Sequence, residues 1–115
     1  MQQDITFPFK ALSYNQYYRI FRNKYIISPA GNQYKNNIIN HLKSLNLTII
    51  EGNIELFIYL QFNDNRRRDI DNHCKGLLDC LTGFLYNDDS QIVAMHVFKL
   101  HGTDSVRVIS RSYIN

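Results

Sequence analysis

The sequence predicts one small domain of the α+β class. Its 115 residues suffice for a single hydrophobic core and are too few for two independent cores. Hydrophobic residues make up 44% of the chain and charged residues 20%, a balance that excludes wholesale disorder. Segments with alternating apolar residues, as in strands, are interspersed with segments whose apolar residues recur every three or four positions, as in helices. We therefore expect residues 1–115 to fold as one domain that contains both kinds of element.

The first half of the chain is predicted to contain two strands and one helix. The apolar run 5–9 predicts an opening strand, and the polar and aromatic stretch 13–19 predicts a surface loop. Ser28 and Pro29 supply an N-cap and a first-turn proline for a helix over residues 29–45. Every second residue over 54–62 is apolar, which predicts a strand with one buried face.

The second half of the chain is predicted to contain one helix and two further strands. Apolar residues recur at helical spacing over residues 70–82, and Gly83 is placed to end that helix. A turn cluster at residues 87–90 leads into a run rich in β-branched and aromatic residues over 91–100, which predicts a strand. After another turn, residues 106–114 are expected to form the last strand.

Cysteine content, histidine content and net charge exclude several classes of protein. Cys74 and Cys80 fall on one predicted helix, where six residues rise about 9 Å, so we expect reduced thiols rather than a disulfide. The four histidines are scattered, which argues against a structural zinc site. The net charge of +3 is a mild excess that does not establish nucleic-acid binding by itself. No apolar run is long enough for a bilayer and no signal peptide is recognisable, so we expect a soluble cytoplasmic protein.

The charges of residues 66–75 (RRRDIDNHCK) would suit metal-assisted phosphodiester chemistry. Three consecutive arginines precede Asp69 and Asp71, and a second acidic pair follows at Asp88 and Asp89. Carboxylate oxygens are the ligands that Mg²⁺ prefers, and phosphodiester cleavage needs such a cation near the attacking and leaving oxygens. Within a helix Asp69 and Asp71 would point about 200° apart, so a shared metal requires Asp69 at the turn that starts the helix.

Each of these charged groups also has an ordinary structural interpretation. An Asp-x-Asp at a helix start can serve only to cap the helix, and Asp71 and Lys75 have the spacing of an exposed ion pair. Asp88 and Asp89 can form no more than a turn, and three successive arginines can form a solvated basic edge. An EF-hand calcium loop is excluded, because the sixth and twelfth positions counted from Asp69 are cysteines.

Three ordered motifs resemble the RusA-type Holliday junction resolvases. The string RRRDIDNHCK is similar to that family's arginine-preceded D-x-D-N-x-x-K, and NDDSQ at residues 87–91 is similar to its D-D-x-Q. SYNQYYR at residues 13–19 is similar to its S-x-N-x-x-Y-R segment. The resemblance implies a small α+β fold, with a mixed sheet packed with two main helices, that works as a homodimer. It also implies Mg²⁺-dependent hydrolysis of one phosphodiester in each of two opposed strands of a four-way DNA junction.

The resemblance also assigns roles to individual residues. The motif lysine carries over to Lys75, which would stabilise the phosphate or the leaving oxygen, and the arginine before the first aspartate, a DNA-contact position, carries over to Arg68. Asp89 is preferred to Asp88 as a metal ligand because the serine and glutamine of the motif follow it. The three metal-binding acids are then Asp69, Asp71 and Asp89. Further candidates for phosphate contacts are Arg19, Arg66 and Arg67.

Two other functions would use the same residues. One is a non-catalytic module that binds branched DNA, with the aspartates only as caps, and the other is a metal-dependent hydrolase of a small phosphorylated substrate. For the resolvase we expect a homodimer, because a four-way junction is approximately two-fold symmetric and the chain carries one copy of the acidic motifs. The apolar interface is expected in the last strands, from Val93, Val97, Val106 or Val108.

Overall fold

The computed structural model describes residues 1–114, which form a four-stranded sheet, three helices and a separate two-stranded hairpin. The predicted α+β class is confirmed. Two short 3-10 turns, Asp71–His73 and Asp89–Gln91, precede the third helix and the fifth strand. The helices are α1 (Tyr14–Tyr17), α2 (Pro29–Lys43) and α3 (Lys75–Leu81). The strands are β1 (Gln2–Phe7), β2 (Tyr18–Phe21), β3 (Lys24–Ile27), β4 (Ile54–Phe62), β5 (Ile92–His101) and β6 (Ser105–Ser112).

The four-stranded sheet is mixed, as the family resemblance implies. β4 lies inside it, parallel to β5 and antiparallel to β6, while β1 pairs with the other side of β6. Alternate residues of β4, from Ile54 to Phe62, are buried, and those between them are half-buried on the opposite face. The predicted strand 54–62 is confirmed with the same ends. β5 is left as an edge strand of the sheet.

Helix α2 begins and ends close to the predicted positions. Ser28 Oγ accepts a hydrogen bond from Gly31 N at 2.9 Å, and Pro29 occupies the first turn. The helix ends at Lys43, slightly earlier than predicted, because Ser44 N turns back to the carbonyls of the last turn. α2 and α3 share one core with the buried face of β4. Their contributions to that core are Tyr34, Ile38, Leu42, Leu77 and Leu81.

The predicted helix 70–82 is broken near its start. Residues 71–73 form a 3-10 turn, and α3 begins only at Lys75. Asn72 N and His73 N donate to the carbonyls of Asp69 and Ile70, three residues back rather than four. His73 Nδ1 also donates to the Asp69 carbonyl, at 2.8 Å. The prediction of one continuous helix is therefore wrong. The tighter turn leaves Asp69 outside α3, between the preceding loop and the 3-10 turn.

The predicted surface loop 13–19 is also wrong, because this segment forms α1 and the start of β2. Ser13 Oγ accepts a hydrogen bond from Gln16 N, and the Gln16 side chain in turn accepts one from Ser13 N. A helix of four residues is too short to show a hydrophobic period. β2 and β3 then form the hairpin, which pairs with no other strand of the described chain.

The other three strands of the main sheet differ from their predicted limits, and two of the predicted interface residues are misplaced. β1, β5 and β6 cover slightly different residues from the predicted runs 5–9, 91–100 and 106–114. Val106 and Val108 are fully buried in the core beside β4, so the expectation that they form a dimer surface is wrong. Val93 is 48% exposed, and Val97 is half-buried against the core.

Two further expectations concern the thiols and the membrane. Cys74 and Cys80 are both buried and free, which confirms the predicted reduced thiols. None of the helices formed by residues 1–114 has the length and apolar character needed to cross a bilayer.

Candidate active site

A cleft lies between the start of α1 and the loop that follows β4. We call it the arginine cleft, because Arg66, Arg67 and Arg68 line it together. Lys10, from the segment after β1, adds a fourth cation, and Asp69 is the one carboxylate among the described residues that line it. The cleft therefore presents positive charge to an anionic ligand and places a single acidic group beside that charge.

Arg68 is held inside the protein rather than extended into solvent. Its guanidinium Nη2 donates to Asp64 Oδ2 at 3.0 Å, its Nη1 donates to Asp64 Oδ1, and its carbon lies 4.3 Å from the centre of the Phe62 ring. The hydrogen bonds from Arg68, with one from Arg66 N, lower the pKa of Asp64. Lys99 Nζ donates to the Arg68 carbonyl at 2.9 Å. Arg68 thus fixes the loop that carries the other arginines, and only 12% of its side chain is exposed.

The other three predicted phosphate-contact residues are exposed. None of the salt bridges found within residues 1–114 involves Arg66, Arg67 or Arg19. Arg66 and Arg67 line the arginine cleft, whereas Arg19 lies on β2, opposite Ile26 of the hairpin. The structure therefore places two of these cations in the cleft and the third on the hairpin.

Asp69 and Asp71 lie at the turn between the arginine loop and α3, and both are exposed. Neither carboxylate receives a hydrogen bond or a salt bridge from the described part of the chain, and neither caps the turn or α3. The capping interpretation is therefore wrong for these two residues. Asp69 stands outside the helix, which is the condition that a metal shared with Asp71 requires.

Lys75 is the first residue of α3, and 60% of its side chain is exposed. Its Nζ lies 3.9 Å from Asp79 Oδ1, one turn further along the helix, so the ion pair is made with Asp79 rather than with Asp71. Asp79 Oδ2 also accepts a hydrogen bond from the Tyr18 hydroxyl at 2.5 Å. Partial burial and this hydrogen bond raise the pKa of Tyr18. Asp79 therefore joins the lysine to the first residue of the hairpin.

The side chains of Asp88 and Gln91 make the hydrogen bonds that stabilise their own turn. Asp88 Oδ1 accepts a hydrogen bond from Ser90 N at 2.8 Å, which lowers the pKa of Asp88. The Gln91 side chain accepts from two backbone N–H groups of the turn and donates to the carbonyls of Ile50 and Gly52, each at 2.8 Å. Asp89, by contrast, is exposed, and its carboxylate accepts no hydrogen bond from the N–H groups of the described residues. The preference for Asp89 over Asp88 as a metal ligand is consistent with this difference between the two carboxylates.

Asp89 is separated from the other two predicted metal ligands. It lines a shallow groove with Leu78 and the start of β5, whereas Asp69 lines the arginine cleft. Among residues 1–114, no three histidine, cysteine, aspartate or glutamate side chains come together as a metal-binding group. A pair of exposed carboxylates still suits Mg²⁺, which commonly takes one or two protein carboxylates and keeps several waters. Asp69 and Asp71 fit that description, and the single chain does not bring Asp89 to them.

Two residues with clear structural roles were not predicted from the sequence. Asp79 lies at i+4 from Lys75, and this spacing was the available signal for the ion pair. The role of Gln91 depends on backbone carbonyls about forty residues away, and no local pattern indicates such a contact.

Comparisons with known proteins test the motif resemblance. A family model described as endodeoxyribonuclease RusA matches residues 8–109. The crossover junction endodeoxyribonuclease RusA of Escherichia coli (strain K12) and that of Shigella sonnei (strain Ss046) are each 36% identical over 107 residues, covering 90% of this chain and 88% of the relative. The corresponding protein of Enterobacteria phage 82 has the same identity and coverage. The motif resemblance is thereby confirmed, and the chain belongs to the RusA family of endodeoxyribonucleases.

Proposed function

We propose that this chain is an endonuclease that cuts four-way DNA junctions, hydrolysing one phosphodiester in each of two opposed strands, with Mg²⁺ as its cofactor. The observation that carries the proposal is the exposed pair Asp69 and Asp71 beside the arginine cleft, in a chain of the RusA family. The name of its relatives, crossover junction endodeoxyribonuclease, supports a junction as the substrate.

In this proposal the cleft binds the DNA backbone. Arg66 and Arg67 are exposed and contact phosphates directly, together with Lys10 on the opposite side of the cleft. Arg68 acts mainly through Asp64 and Phe62, because its guanidinium holds the loop in the position from which its neighbours reach the backbone. A phosphate seated in the cleft lies next to Asp69.

The acidic residues would hold the metal. Asp69 and Asp71 would be the first two ligands, and Asp89 would be the third. A bound Mg²⁺ would neutralise charge on the phosphate and lower the pKa of the attacking water. The Lys75 ammonium, one turn after Asp71 and largely exposed, stabilises negative charge on the phosphate or the leaving oxygen.

A homodimer accounts for the isolated position of Asp89. β5 is an edge strand that pairs with β4 on one side only, and it exposes Val93, Met95, Phe98 and Leu100, each between 43% and 48%. An apolar edge strand is a surface that another chain can cover. Asp89 lies in the groove beside the start of this strand. We therefore propose β5 as the dimer surface, and we propose that dimerisation brings Asp89 of one copy to Asp69 and Asp71 of the other.

The deciding experiment is cleavage of a synthetic four-way junction, with each strand labelled in turn and the cuts mapped to the nucleotide. We expect paired symmetric cuts with Mg²⁺, none with EDTA, and none in linear duplex of the same sequence. Asp71→Asn should bind the junction without cutting it. Asp88→Asn is the matched control, since asparagine can keep the turn capped, and it should still cut.

The same experiment separates the alternatives. A non-catalytic module would bind the junction and leave it intact with Mg²⁺ or Mn²⁺. A hydrolase of small phosphorylated substrates would show no preference for junction over duplex competitor. Either result would overturn the proposed function.

A further inference from the structure

The β2–β3 hairpin stands apart from the main sheet and is not used by the proposed mechanism. Its strands pair only with each other, and Arg22 and Asn23 at its tip have φ values of 51° and 63°. Two consecutive left-handed residues form the tight turn that matches the twist of a hairpin. All seven residues of the segment 19–25 are exposed. The hairpin is thus a short and well-defined projection.

The surface of the hairpin combines apolar side chains with positive charge. Ile20, Phe21 and Tyr25 are 66%, 51% and 65% exposed, and the Arg22 guanidinium carbon lies 5.3 Å from the centre of the Phe21 ring. The hairpin carries three basic residues and no acidic one, whereas the rest of the chain has ten of each. The net charge of +3 therefore lies entirely on this projection.

The base of the hairpin is fixed to the walls of the arginine cleft. Ser28 N donates to the Tyr17 carbonyl at 2.8 Å, and Ser28 Oγ donates to the Gln16 carbonyl at 2.5 Å. Gly31 packs so closely that a β-carbon there would clash with the Tyr17 carbonyl oxygen. Gln16 itself lines the cleft. The base of the hairpin is therefore held in a fixed position next to the cleft.

We propose that the hairpin tip is a wedge for the branch point of DNA, in which Phe21 stacks on an end base pair while Arg22 and Lys24 contact the flanking phosphates. This inference rests on the proposed function. An aromatic ring beside cations is the combination that binds unstacked bases and their backbone. In continuous duplex, insertion of a side chain must first separate two stacked base pairs. At a branch point that stacking is already interrupted, so the wedge favours junctions over duplex.

Charge argues against the dimer surface as the role of this hairpin. A two-fold contact through the hairpin would bring three cations of one copy against three of the other with no acid between them. A nucleic acid supplies the opposite charge.

The test measures binding in EDTA to a four-way junction and to linear duplex of the same sequence. We expect Phe21→Ala to weaken junction binding about 5- to 150-fold and to change duplex binding less than about twofold. Phe21→Tyr should retain the junction preference. Tyr113→Ala, which removes an exposed ring at the end of β6, is the control and should leave both affinities unchanged. With 2-aminopurine at the branch point, wild type should change the fluorescence and Phe21→Ala should not.

Several outcomes would overturn the wedge. They are an unchanged ratio of junction to duplex affinity in Phe21→Ala, an equal loss on both DNAs, or conversion of the variant to a monomer in sedimentation. If wild type cuts the junction and Phe21→Ala keeps its preference, only the wedge fails. If wild type itself neither prefers nor cuts the junction, the proposed function fails as well.

Discussion

Replacing Gln91 by alanine removes four hydrogen bonds at one point of the fold. Its side chain joins the backbone N–H groups of Asn87 and Asp88 to the carbonyls of Ile50 and Gly52, and so ties the Asp89 turn to the segment before β4. Only the bond to Ile50 is partly buried, and water can replace glutamine at the three exposed positions. At about 0.5–1 kcal/mol for each bond, we expect the free energy of unfolding to fall by about 2 kcal/mol.

Thermal unfolding followed by circular dichroism measures this loss. An unfolding entropy of about 2.1 cal/mol/K per residue over 115 residues converts about 2 kcal/mol into a Tm decrease of about 8 °C. Gln33→Ala, the same substitution at an exposed position of α2, is the control. It should change stability by less than about 0.5 kcal/mol.

A second variant, Gln91→Glu, tests the two hydrogen bonds that the Gln91 side chain donates. The carboxylate keeps the size of the side chain but faces two carbonyl oxygens with negative charge, so the loss at pH 7 should equal or exceed that of alanine. Stability should recover partly near pH 4, where the acid can donate again. An unchanged Tm in Gln91→Ala would refute the hydrogen-bond account. Full stability with lost cleavage would instead place Gln91 in the chemistry.

Four further predictions concern the site, the dimer and acid stability. Lys75→Ala should lower the cleavage rate by orders of magnitude in single-turnover assays and change stability by less than about 1 kcal/mol, because the lost ion pair is exposed. Sedimentation should give about twice the chain mass of 13.6 kDa, and a strictly monomeric active enzyme would contradict the dimer. Asp71→Asn and Asp89→Asn should each abolish cleavage, and mixing the two inactive proteins should restore part of it; no recovery would contradict a site shared between copies. Hydrogen bonds from Arg107 lower the pKa of Asp4. This pair therefore stabilises the protein fully at pH values above the ordinary aspartate pKa of about 3.9, and the stabilisation is lost as the pH falls through the lowered pKa. In melts between pH 2 and 6, Asp4→Asn should lose less stability on acidification than wild type.

The elements that could be predicted are those whose signal is local. β4 was recovered with its exact ends because its alternation runs unbroken over residues 54–62. The start of α2 followed from Ser28 and Pro29, whose side chains act within one turn. The family motifs located the acidic turn and the arginine loop for the same reason, since each is a short continuous segment.

The features that could not be predicted depend on contacts distant in sequence. Val106 and Val93 both lie in short sequence segments that predict a strand. Only the strand order decides that Val106 is buried while Val93 lies on an edge strand. At the break before α3 the His73 ring bonds to the Asp69 carbonyl, a contact that the spacing of apolar residues does not reveal. The separation of Asp89 from Asp69 likewise follows from the path of the chain across the sheet, not from the motif.

The two buried thiols make the protein convenient for site-specific labelling. Cys74 and Cys80 are only 4% and 3% exposed, and burial raises the pKa of both thiols, that of Cys74 to about 11. Maleimides react with accessible thiolates, so both native cysteines should react slowly at neutral pH without being replaced. A cysteine introduced at the exposed Asn36 of α2 would then take a fluorophore or spin label selectively. The distance between two such labels would follow the assembly of two copies on a junction in real time.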